Sequence, residues 1–285
     1  MRKRCLIVLL FLSMVFGFFS CGKESTKSSF SIQFIDVGQG DSALVECDGH
    51  YMLIDGGDVN AGDKLYSVLE EKHIQKLDIL AVSHLHVDHI GGLIKALTYA
   101  STIDLTISND TYSDKETFRK FEHELSINGS KITVPKVGTE YELGSATVEV
   151  IDVCADTVND SLVLLITYGD TNFLFTGDIE DVSQTRISDK YENESDKAYD
   201  VDLIKMPHHG SYTGTLYRFL RTFMPEYAVI SVGTGNSYGH PDYRTLDELD
   251  KLEIDGIKTK VYRTDESGDI IVTSNGKELL IETSK

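Results

Sequence analysis

Three histidines and one aspartate fall within six consecutive positions, directly after an apolar run at residues 77–82. They are His84, His86, Asp88 and His89. Neutral imidazole nitrogens and carboxylate oxygens are the side-chain atoms that bind zinc-like cations. Because side chains two positions apart in extended backbone point to the same side, His84 and His86 can hold one cation. Asp88 and His89 can face a second cation from the start of the helix that follows.

These four residues resemble the signature of the metallo-β-lactamase superfamily, H-x-H-x-D-H. Six further motifs narrow the resemblance to the hydrolase domain of the DNA-internalization competence protein ComEC and its stand-alone relatives. The motifs are FIDVGQGDS at 34–42, LIDGG at 53–57, NDSLVL at 159–164, FTGD at 175–178, PHHGS at 207–211 and YGHP at 238–241. The similarity extends from about residue 30 to about residue 281, which is nearly all of the chain beyond its N-terminal segment.

The resemblance and the residue patterns together imply an α/β (α+β) fold, the αββα sandwich in which two mixed β-sheets face each other and helices cover the outer faces. Strand-like and helix-like runs alternate along residues 30–285 without a linker or a repeat, which predicts one hydrolase domain. Helices are predicted at residues 88–99 and 213–222, and a strand at residues 131–137. The polar run at residues 188–200 predicts a solvated loop.

The resemblance implies roles for residues beyond the first motif. Asp178 would be the carboxylate that bridges the two metals. His209 is assigned to the second metal and His208 to the substrate phosphate, because adjacent side chains in extended backbone diverge. His240 would donate to a phosphoryl oxygen or protonate the leaving group, and the alternative for it is a turn residue packed against a proline. The predicted catalytic residues are His208, His240 and Asp88.

The first metal site departs from the superfamily pattern. Many superfamily hydrolases carry a further His ligand ahead of the bridging Asp, but between His89 and Asp178 this chain has only His123, which comes too early, on a charged helix. Asn159-Asp160-Ser161 stands in the expected place, so the site should be open or oxygen-rich, with room for a substrate oxygen. Because oxygen ligands suit harder ions, the expected cofactors are two divalent ions, Zn²⁺ or Mn²⁺. The predicted substrate contacts are Asn159, Ser161, His208, Ser211 and His240.

Other polar residues near the motifs are candidates for supporting roles. Asp36, Asp41 and Asp55 fit carboxylates that orient the ligand imidazoles, although ordinary acids at strand ends would give the same pattern. Tyr212 and Tyr238 flank the histidine motifs. They could stack on a base, meet a cationic head group or simply pack at the edge of the sandwich.

The first twenty residues are typical of an export signal. Three basic residues at positions 2–4 precede an apolar stretch at 5–19, which is shorter than the ~20 apolar residues of a spanning helix. Ser20 directly before Cys21 resembles a bacterial lipobox. We therefore expect a lipoprotein signal peptide at 1–20, a lipid on Cys21, a tether at 21–29 and a membrane-anchored protein on the extracytoplasmic side of the cell. An uncleaved anchor or plain secretion is the alternative.

Charge restricts the partners. The formal net charge is −19, and it becomes −22 without residues 1–20, because that segment holds three basic residues and no acidic ones. Such a chain repels polyanions at long range. Since no cluster of Lys or Arg occurs beyond the signal peptide, we expect no extended nucleic-acid-binding surface. No obligate protein partner is indicated, and Cys47 and Cys154 are expected to be buried free thiols.

The function predicted from these features is metal-dependent hydrolysis, most specifically a phosphodiesterase in which a hydroxide that bridges the metals attacks phosphorus. Expected substrates are small phosphodiesters, either nucleic-acid fragments or phosphodiesters of the cell envelope such as phosphocholine substituents. One alternative is a lactone or β-lactam hydrolase, which would use the same hydroxide against a carbonyl. Another is a surface lipoprotein that keeps the fold as a non-catalytic binding module.

Overall fold

The computed structural model describes residues 29–154, 160–193, 201–254 and 256–285. The predicted signal peptide, Cys21 and nearly all of the tether lie outside the described residues, as does Asn159. Within the described ranges, no helix is both long enough and apolar enough to cross a membrane.

The described residues form seventeen strands and eight α-helices. The strands are β1 (Phe30–Phe34), β2 (Ala43–Cys47), β3 (His50–Ile54), β4 (Lys76–Val82), β5 (Thr102–Ser108), β6 (Ile132–Thr133), β7 (Glu140–Leu143), β8 (Ala146–Val153), β9 (Leu162–Tyr168), β10 (Thr171–Phe175), β11 (Leu203–Lys205), β12 (Tyr227–Ile230), β13 (Glu253–Ile254), β14 (Ile257–Lys258), β15 (Lys260–Arg263), β16 (Ile270–Ser274) and β17 (Leu279–Thr283). The helices are α1 (Gly62–Glu71), α2 (Val87–Ile90), α3 (Leu93–Ala96), α4 (Glu116–Ile127), α5 (Asp181–Asn193), α6 (Tyr217–Phe223), α7 (Tyr243–Lys251) and α8 (Thr264–Ser267).

Two large mixed sheets contain most of the strands. The first has the order β17-β16-β1-β2-β3-β4-β5-β6, in which β3 to β6 are parallel and the other neighbours are antiparallel. The second has the order β15-β12-β11-β10-β9-β8-β7, in which β10, β11, β12 and β15 are parallel. The predicted pair of mixed sheets is therefore confirmed.

The two sheets pack face to face through alternate side chains. In β1, Phe30, Ile32 and Phe34 point into the core, while the residues between them are partly exposed. Phe30 stacks on Phe173 of the opposite sheet at 4.9 Å between ring centroids, and Phe34 stacks on Phe175 at 5.7 Å. Because each fully buried Phe side chain contributes roughly 1.5–3 kcal/mol, this central layer is a main source of stability.

Helices cover the outer face of each sheet. On the first sheet a second core cluster includes Leu65 of α1 and Phe121 of α4, and on the second sheet a third cluster includes Ile187 of α5 and Phe219 of α6. These layers complete the predicted αββα order. The two remaining cysteines, Cys47 and Cys154, are buried and free.

The predicted helix at residues 88–99 is divided into α2 and α3. The break falls at Gly91 and Gly92, where the loop after β3 approaches the chain so closely that a side chain on Gly92 would overlap the carbonyl oxygen of Gly56. Gly92 N–H in turn donates to the carbonyl of Gly57 at 3.1 Å. The close approach fixes the start of α2, which carries Asp88 and His89, against the loop that carries Asp55.

Three other expectations are wrong in part. The predicted loop at 188–200 begins inside α5, because Ile187 and Tyr191 are both buried and hold the helix on the second sheet; residues 194–200 are not described. The helix predicted from residue 213 begins at Tyr217, since Thr213 donates its hydroxyl hydrogen bond to Glu180 at 2.7 Å. The strand predicted at 131–137 is reduced to β6, which pairs with β5 at only two positions.

Candidate metal centre

The centre begins at the carboxyl ends of two neighbouring parallel strands. β4 ends at Val82 and leads into Ser83 and His84, and β3 ends beside it and leads into Asp55. The backbone N–H and the hydroxyl of Ser83 each donate to Asp55 at 2.7 Å. Ligands of open α/β sheets bind at this end of the strands.

His84 and His86 form the first pair of candidate ligands. Nε2 of His84 lies 2.9 Å from Nδ1 of His86, so both nitrogens face the same point. Oδ2 of Asp178 lies 3.9 Å from the same Nε2. Behind the pair, Nδ1 of His84 lies 3.1 Å from Oγ of Ser83 and 3.4 Å from Oγ of Ser161. These contacts fix the imidazole of His84 with its outer nitrogen toward Asp178.

Asp88, His89, Asp178 and His209 form a second group, with one ligand atom from each lying within 4.8 Å of the others. Oδ2 of Asp178 is 3.3 Å from Nε2 of His89 and 3.6 Å from Nε2 of His209. Oδ2 of Asp88 is 3.4 Å from Nε2 of His209. These are the residues that the sequence assigns to the second metal, and Asp178 stands between them and the first pair.

The donor atoms fit a divalent cation. Nε2 of His89, Nε2 of His209 and Oδ1 of Asp178 are buried without a hydrogen-bond partner. A buried polar atom without a partner costs roughly 1–3 kcal/mol, and the two unpartnered nitrogens lie 3.3 and 3.6 Å from the same oxygen, Oδ2 of Asp178. Imidazole nitrogen and carboxylate oxygen are suitable ligands for Zn²⁺ and Mn²⁺. A cation held by these residues would give both nitrogens a partner.

Protons replace the cations in the metal-free protein. Burial lowers the pKa of His209, but the carboxylates of Asp178 and Asp41 outweigh it and raise the pKa to about 9. Burial also lowers the pKa of His89, and Asp178 and Asp55 raise it well above its usual value. Two buried imidazolium groups therefore face Asp178 at neutral pH.

The charge of His89 also shifts the pKa values of Asp178 and His84. Burial raises the pKa of Asp178, but the positive charges of His209 and His89 outweigh it and hold the pKa well below its usual value. Burial and the charge of His89 lower the pKa of His84 well below its usual value. His84 is therefore neutral and ready to bind a metal, whereas His89 and His209 must first release a proton.

Two of the three candidate supporting aspartates contact ligand histidines. Oδ2 of Asp55 lies 2.9 Å from Nδ1 of His89, and Oδ1 of Asp41 lies 3.1 Å from Nδ1 of His209. The expectation for Asp36 is wrong, because its carboxylate pairs with Lys285 at 3.2 Å, away from the histidines. The N–H of Asp36 donates to the carboxylate of Asp269 at 2.9 Å, so Asp36 joins the segment after β1 to the residue before β16.

Glycine allows the segment at 36–42 to reach the centre. Gly40 has a φ of 144°, and a side chain there would overlap the carbonyl oxygen of Asp88. The N–H of Asp41 donates to that same carbonyl at 3.2 Å. Only a residue without Cβ fits this approach, which brings Asp41 behind His209.

His208 and His209 do not have the extended backbone that the sequence argument assumed. Their φ/ψ values are 48°/47° and 54°/27°, in the left-handed region. Non-glycine residues held there cost roughly 1–3 kcal/mol each and cluster at functional sites. The side chains nevertheless diverge, with ring planes at 67°: His209 is buried, whereas His208 stays partly open, with Nε2 4.0 Å from Oδ2 of Asp178.

Sequence reasoning missed Glu180, which binds the open histidine from behind. Oε1 of Glu180 lies 3.1 Å from Nδ1 of His208 and accepts from the hydroxyl of Thr213 at 2.7 Å. This contact leaves Nε2 of His208 facing the centre. The only signal in the sequence is an acidic residue two positions after Asp178.

The remaining predicted contacts divide between the opening and the interior. The ring of His240 lies 5.7 Å from that of His208 and stacks with Tyr238 at 5.8 Å, so it stands at the opening of the centre. Ser211 is buried, with its hydroxyl 2.9 Å from that of Thr213. Ser161 is fully buried, and its hydroxyl accepts from the N–H of Asp178 at 2.9 Å. We therefore assign Ser161 to the orientation of ligands in place of the substrate contact expected from the sequence.

The comparison with protein families is decisive at this point. A family model described as the metallo-beta-lactamase superfamily matches residues 35–234, which is most of the chain. The chain belongs to the metallo-β-lactamase superfamily. Its converging His and Asp residues are those of a metal-dependent hydrolase of this superfamily.

The chain is similar to curated proteins over most of its length. ComE operon protein 3 of Bacillus subtilis (strain 168) is 28% identical over 266 residues, covering 86% of this chain and 33% of that protein. Competence protein ComA of Neisseria gonorrhoeae is 28% identical over 254 residues, covering 88% and 33%. These matches confirm the ComEC-like resemblance. The chain spans only about a third of the length of these relatives.

Two solved structures confirm the fold. The metallo-beta-lactamase fold protein YhfI from Bacillus subtilis has a TM-score of 0.56 at 15% identity, covering 86% of this chain and 100% of that one. A putative metal-dependent hydrolase from Parabacteroides distasonis has a TM-score of 0.52 at 19% identity, covering 84% and 94%. At these identities the likeness concerns the fold alone.

Proposed function

We propose that this protein is a phosphodiesterase that uses two divalent cations to cleave short nucleotide-type phosphodiesters. The observation that carries the proposal is the pair His208 and His240, which stand 5.7 Å apart at the opening, beyond the full set of candidate metal ligands. Hydrolysis of a phosphodiester needs groups that contact the nonbridging oxygens and protonate the leaving oxygen. Two imidazoles outside the ligand set are suited to those tasks.

The residues would divide the work as follows. His84 and His86 would hold the first ion, Asp88, His89 and His209 would hold the second, and Asp178, which lies between the two groups, would be shared by them. When bound, such ions neutralise phosphate charge and lower the pKa of water. His84 and His89 are oriented from behind by Ser83, whose hydroxyl lies 3.1 Å from Nδ1 of each.

His208 would act on the substrate itself. Glu180 lies 3.1 Å from its Nδ1 and therefore favours the tautomer with a proton on that nitrogen. Nε2 then faces the position next to Asp178, where a phosphoryl oxygen would lie. His240 has a buried Nδ1 without a hydrogen-bond partner, and it is the candidate that protonates the leaving group.

The rim of the centre favours a planar group over a quaternary ammonium. Tyr238 and Tyr243 are exposed, but the guanidinium of Arg244 already lies 3.7 Å from the ring centroid of Tyr212 and 5.8 Å from that of Tyr243. A choline head group would have to displace this cation from Tyr212. A base can instead stack on Tyr238 or on the guanidinium plane. One curated relative is named a competence protein and another, from Haemophilus influenzae, a recombination protein, and we take these names as support for nucleic-acid substrates.

The net charge and the predicted export signal indicate the size of the substrate and the cellular location of the activity. The strongly acidic chain, at −19, favours short fragments over long duplexes, whose binding needs a basic surface. We further propose export and anchoring through a lipid on Cys21, which would place the hydrolase outside the cytoplasmic membrane, where it would meet nucleic-acid fragments.

The test is turnover by metal-free protein reloaded with Zn²⁺ or Mn²⁺. Bis(p-nitrophenyl) phosphate and a dinucleotide should be hydrolysed at least about tenfold faster, in kcat/KM, than a phosphocholine ester, a lactone or a β-lactam. Faster lactone or β-lactam hydrolysis would overturn the phosphodiesterase proposal. Absence of turnover on every substrate by fully loaded protein would favour the binding module.

A further inference from the structure

Lys205 is the one buried Lys or Arg among the described residues, at 3% exposure. It lies at the end of β11, in the middle of the second sheet. Its ammonium is 2.5 Å from Oδ2 of Asp41 and donates to the carbonyl of Met206 at 2.8 Å. Burying a charge is costly unless it is paired and hydrogen-bonded, so a cation at this position needs a reason.

The partner of Lys205 leads directly to the metal centre. The second oxygen of Asp41, Oδ1, lies 3.1 Å from Nδ1 of His209, which is also 3.1 Å from the carbonyl oxygen of Ser231. The opposite nitrogen of His209 is the unpartnered Nε2 that faces Asp88. An ammonium, a carboxylate and an imidazole thus form one buried chain that ends at a candidate metal ligand.

The buried carboxylates behind the ligand histidines, Asp41 and Asp55, require a positive charge nearby. Asp41, Asp55 and His89 each place a ligand atom within 4.8 Å of the others, and all three are buried. Asp41, Asp55 and Lys205 line the same small enclosed cavity between the sheets. Without Lys205, two buried carboxylates would share this space with one imidazole. Asp41 would then be free to turn away from His209 or to take up a proton.

We propose that Lys205 is a positioning residue of the metal centre, whose ammonium acts as a permanent internal cation that holds Asp41 against Nδ1 of His209. Lys205 does not contact the metal position or the substrate. It sets the orientation of His209 through Asp41, and thereby the affinity of the second ion. This inference rests on the proposed metal centre and adds to it a residue outside both ligand groups.

The test measures metal affinity, not turnover. Competition with a chromophoric chelator for Zn²⁺ should show that Lys205→Met weakens one of the two ions, the one that Asp88, His89 and His209 would hold, by about 10–100-fold, the usual effect of removing a group that orients a ligand. In Co²⁺-loaded protein the same variant should alter the electronic spectrum of one of the two ions. Lys64→Met is the matched control, since Lys64 also pairs with an aspartate, Asp269 at 2.5 Å, but is half-exposed and remote from the histidines.

A second background separates positioning from simple packing. If Lys205 acts through Asp41, the loss caused by Lys205→Met should disappear when it is introduced into Asp41→Asn, because the carboxylate that it restrains is gone. An equal loss in both backgrounds, or wild-type affinity and spectrum in Lys205→Met, would overturn the proposal.

Folding failure does not end the test. If Lys205→Met alone does not fold, the doubly neutral Lys205→Met/Asp41→Asn protein should still bind one of the two ions at least about tenfold less tightly than the wild type. Wild-type affinity in that protein would overturn the proposal. A wild-type protein that binds no metal would instead refute the metal centre on which the inference rests.

Discussion

Metal binding should release protons from the protein, because neighbouring carboxylates raise the pKa values of two ligand histidines in the centre. Asp178 and Asp41 outweigh burial and raise the pKa of His209 to about 9, and Asp178 and Asp55 raise that of His89 well above its usual value. A histidine must be neutral before it can bind a metal. At pH 7 we therefore expect about two protons to leave the protein when the second site fills.

The sign and size of the pH dependence follow. Each released proton makes the apparent binding constant rise about tenfold per pH unit below the pKa, so two give about 100-fold per unit near pH 7. The same pKa of about 9 stabilises the metal-free fold below the unfolded value of about 6.5, by about 3 kcal/mol from His209. That contribution is lost as the pH rises from about 6.5 through about 9.

Isothermal titration calorimetry in buffers of different ionisation enthalpy counts these protons directly. His209→Gln should bind less of the second ion and release about one proton fewer for each such ion that it still binds, and His123→Gln, on the exposed face of α4, should leave the count unchanged. Full metal binding at pH 7 with less than about one proton released would refute the reasoning. It would mean that His89 and His209 are neutral in the free protein.

Four further outcomes are expected. Asp178→Ala should lose most of the metal by elemental analysis, because Asp178 stands between both ligand groups; full retention would contradict its bridging role. His209→Ala should lose metal and turnover together, whereas His208→Ala should keep metal and lose turnover by roughly 10²–10⁴, and near-normal activity in both would make the pair structural. Glu180→Gln should keep metal and lower kcat by roughly tenfold with KM unchanged, an effect that a wild-type kcat would disprove. Cys21→Ser should release the protein from the membrane fraction, and unmodified Cys21 in a cleaved chain would exclude the lipid.

The ligand set was predictable because its members lie in short, contiguous motifs. His84 to His89 occupy one turn after a strand, and the local backbone alone brings them together. The αββα order was predictable for a related reason, since an alternating run such as β1 reports which face of the strand is buried. Both predictions use information carried within a few neighbouring residues.

The residues that were missed depend on contacts between distant segments. Lys205 meets Asp41 only because β11 lies in one sheet and the segment after β1 crosses from the other. Glu180 meets His208 across 28 positions of the sequence. Neither pair has a spacing that a linear pattern can reveal. For the same reason the polar run at residues 188–200 predicts a loop, although its first part belongs to α5, which Ile187 and Tyr191 hold on the second sheet.

The left-handed backbone at His208 and His209 is the least predictable feature and one of the most informative. Two adjacent non-glycine residues in this region cost roughly 1–2 kcal/mol each relative to ordinary backbone. The surrounding contacts hold them there: Glu180 binds one ring, and Asp41, itself held by Lys205, contacts the other. Extended backbone would point the two rings to opposite sides, whereas the left-handed turn lets both outer nitrogens approach Asp178, at 4.0 and 3.6 Å. The strain is therefore the local condition under which one histidine can bind metal while its neighbour faces the substrate.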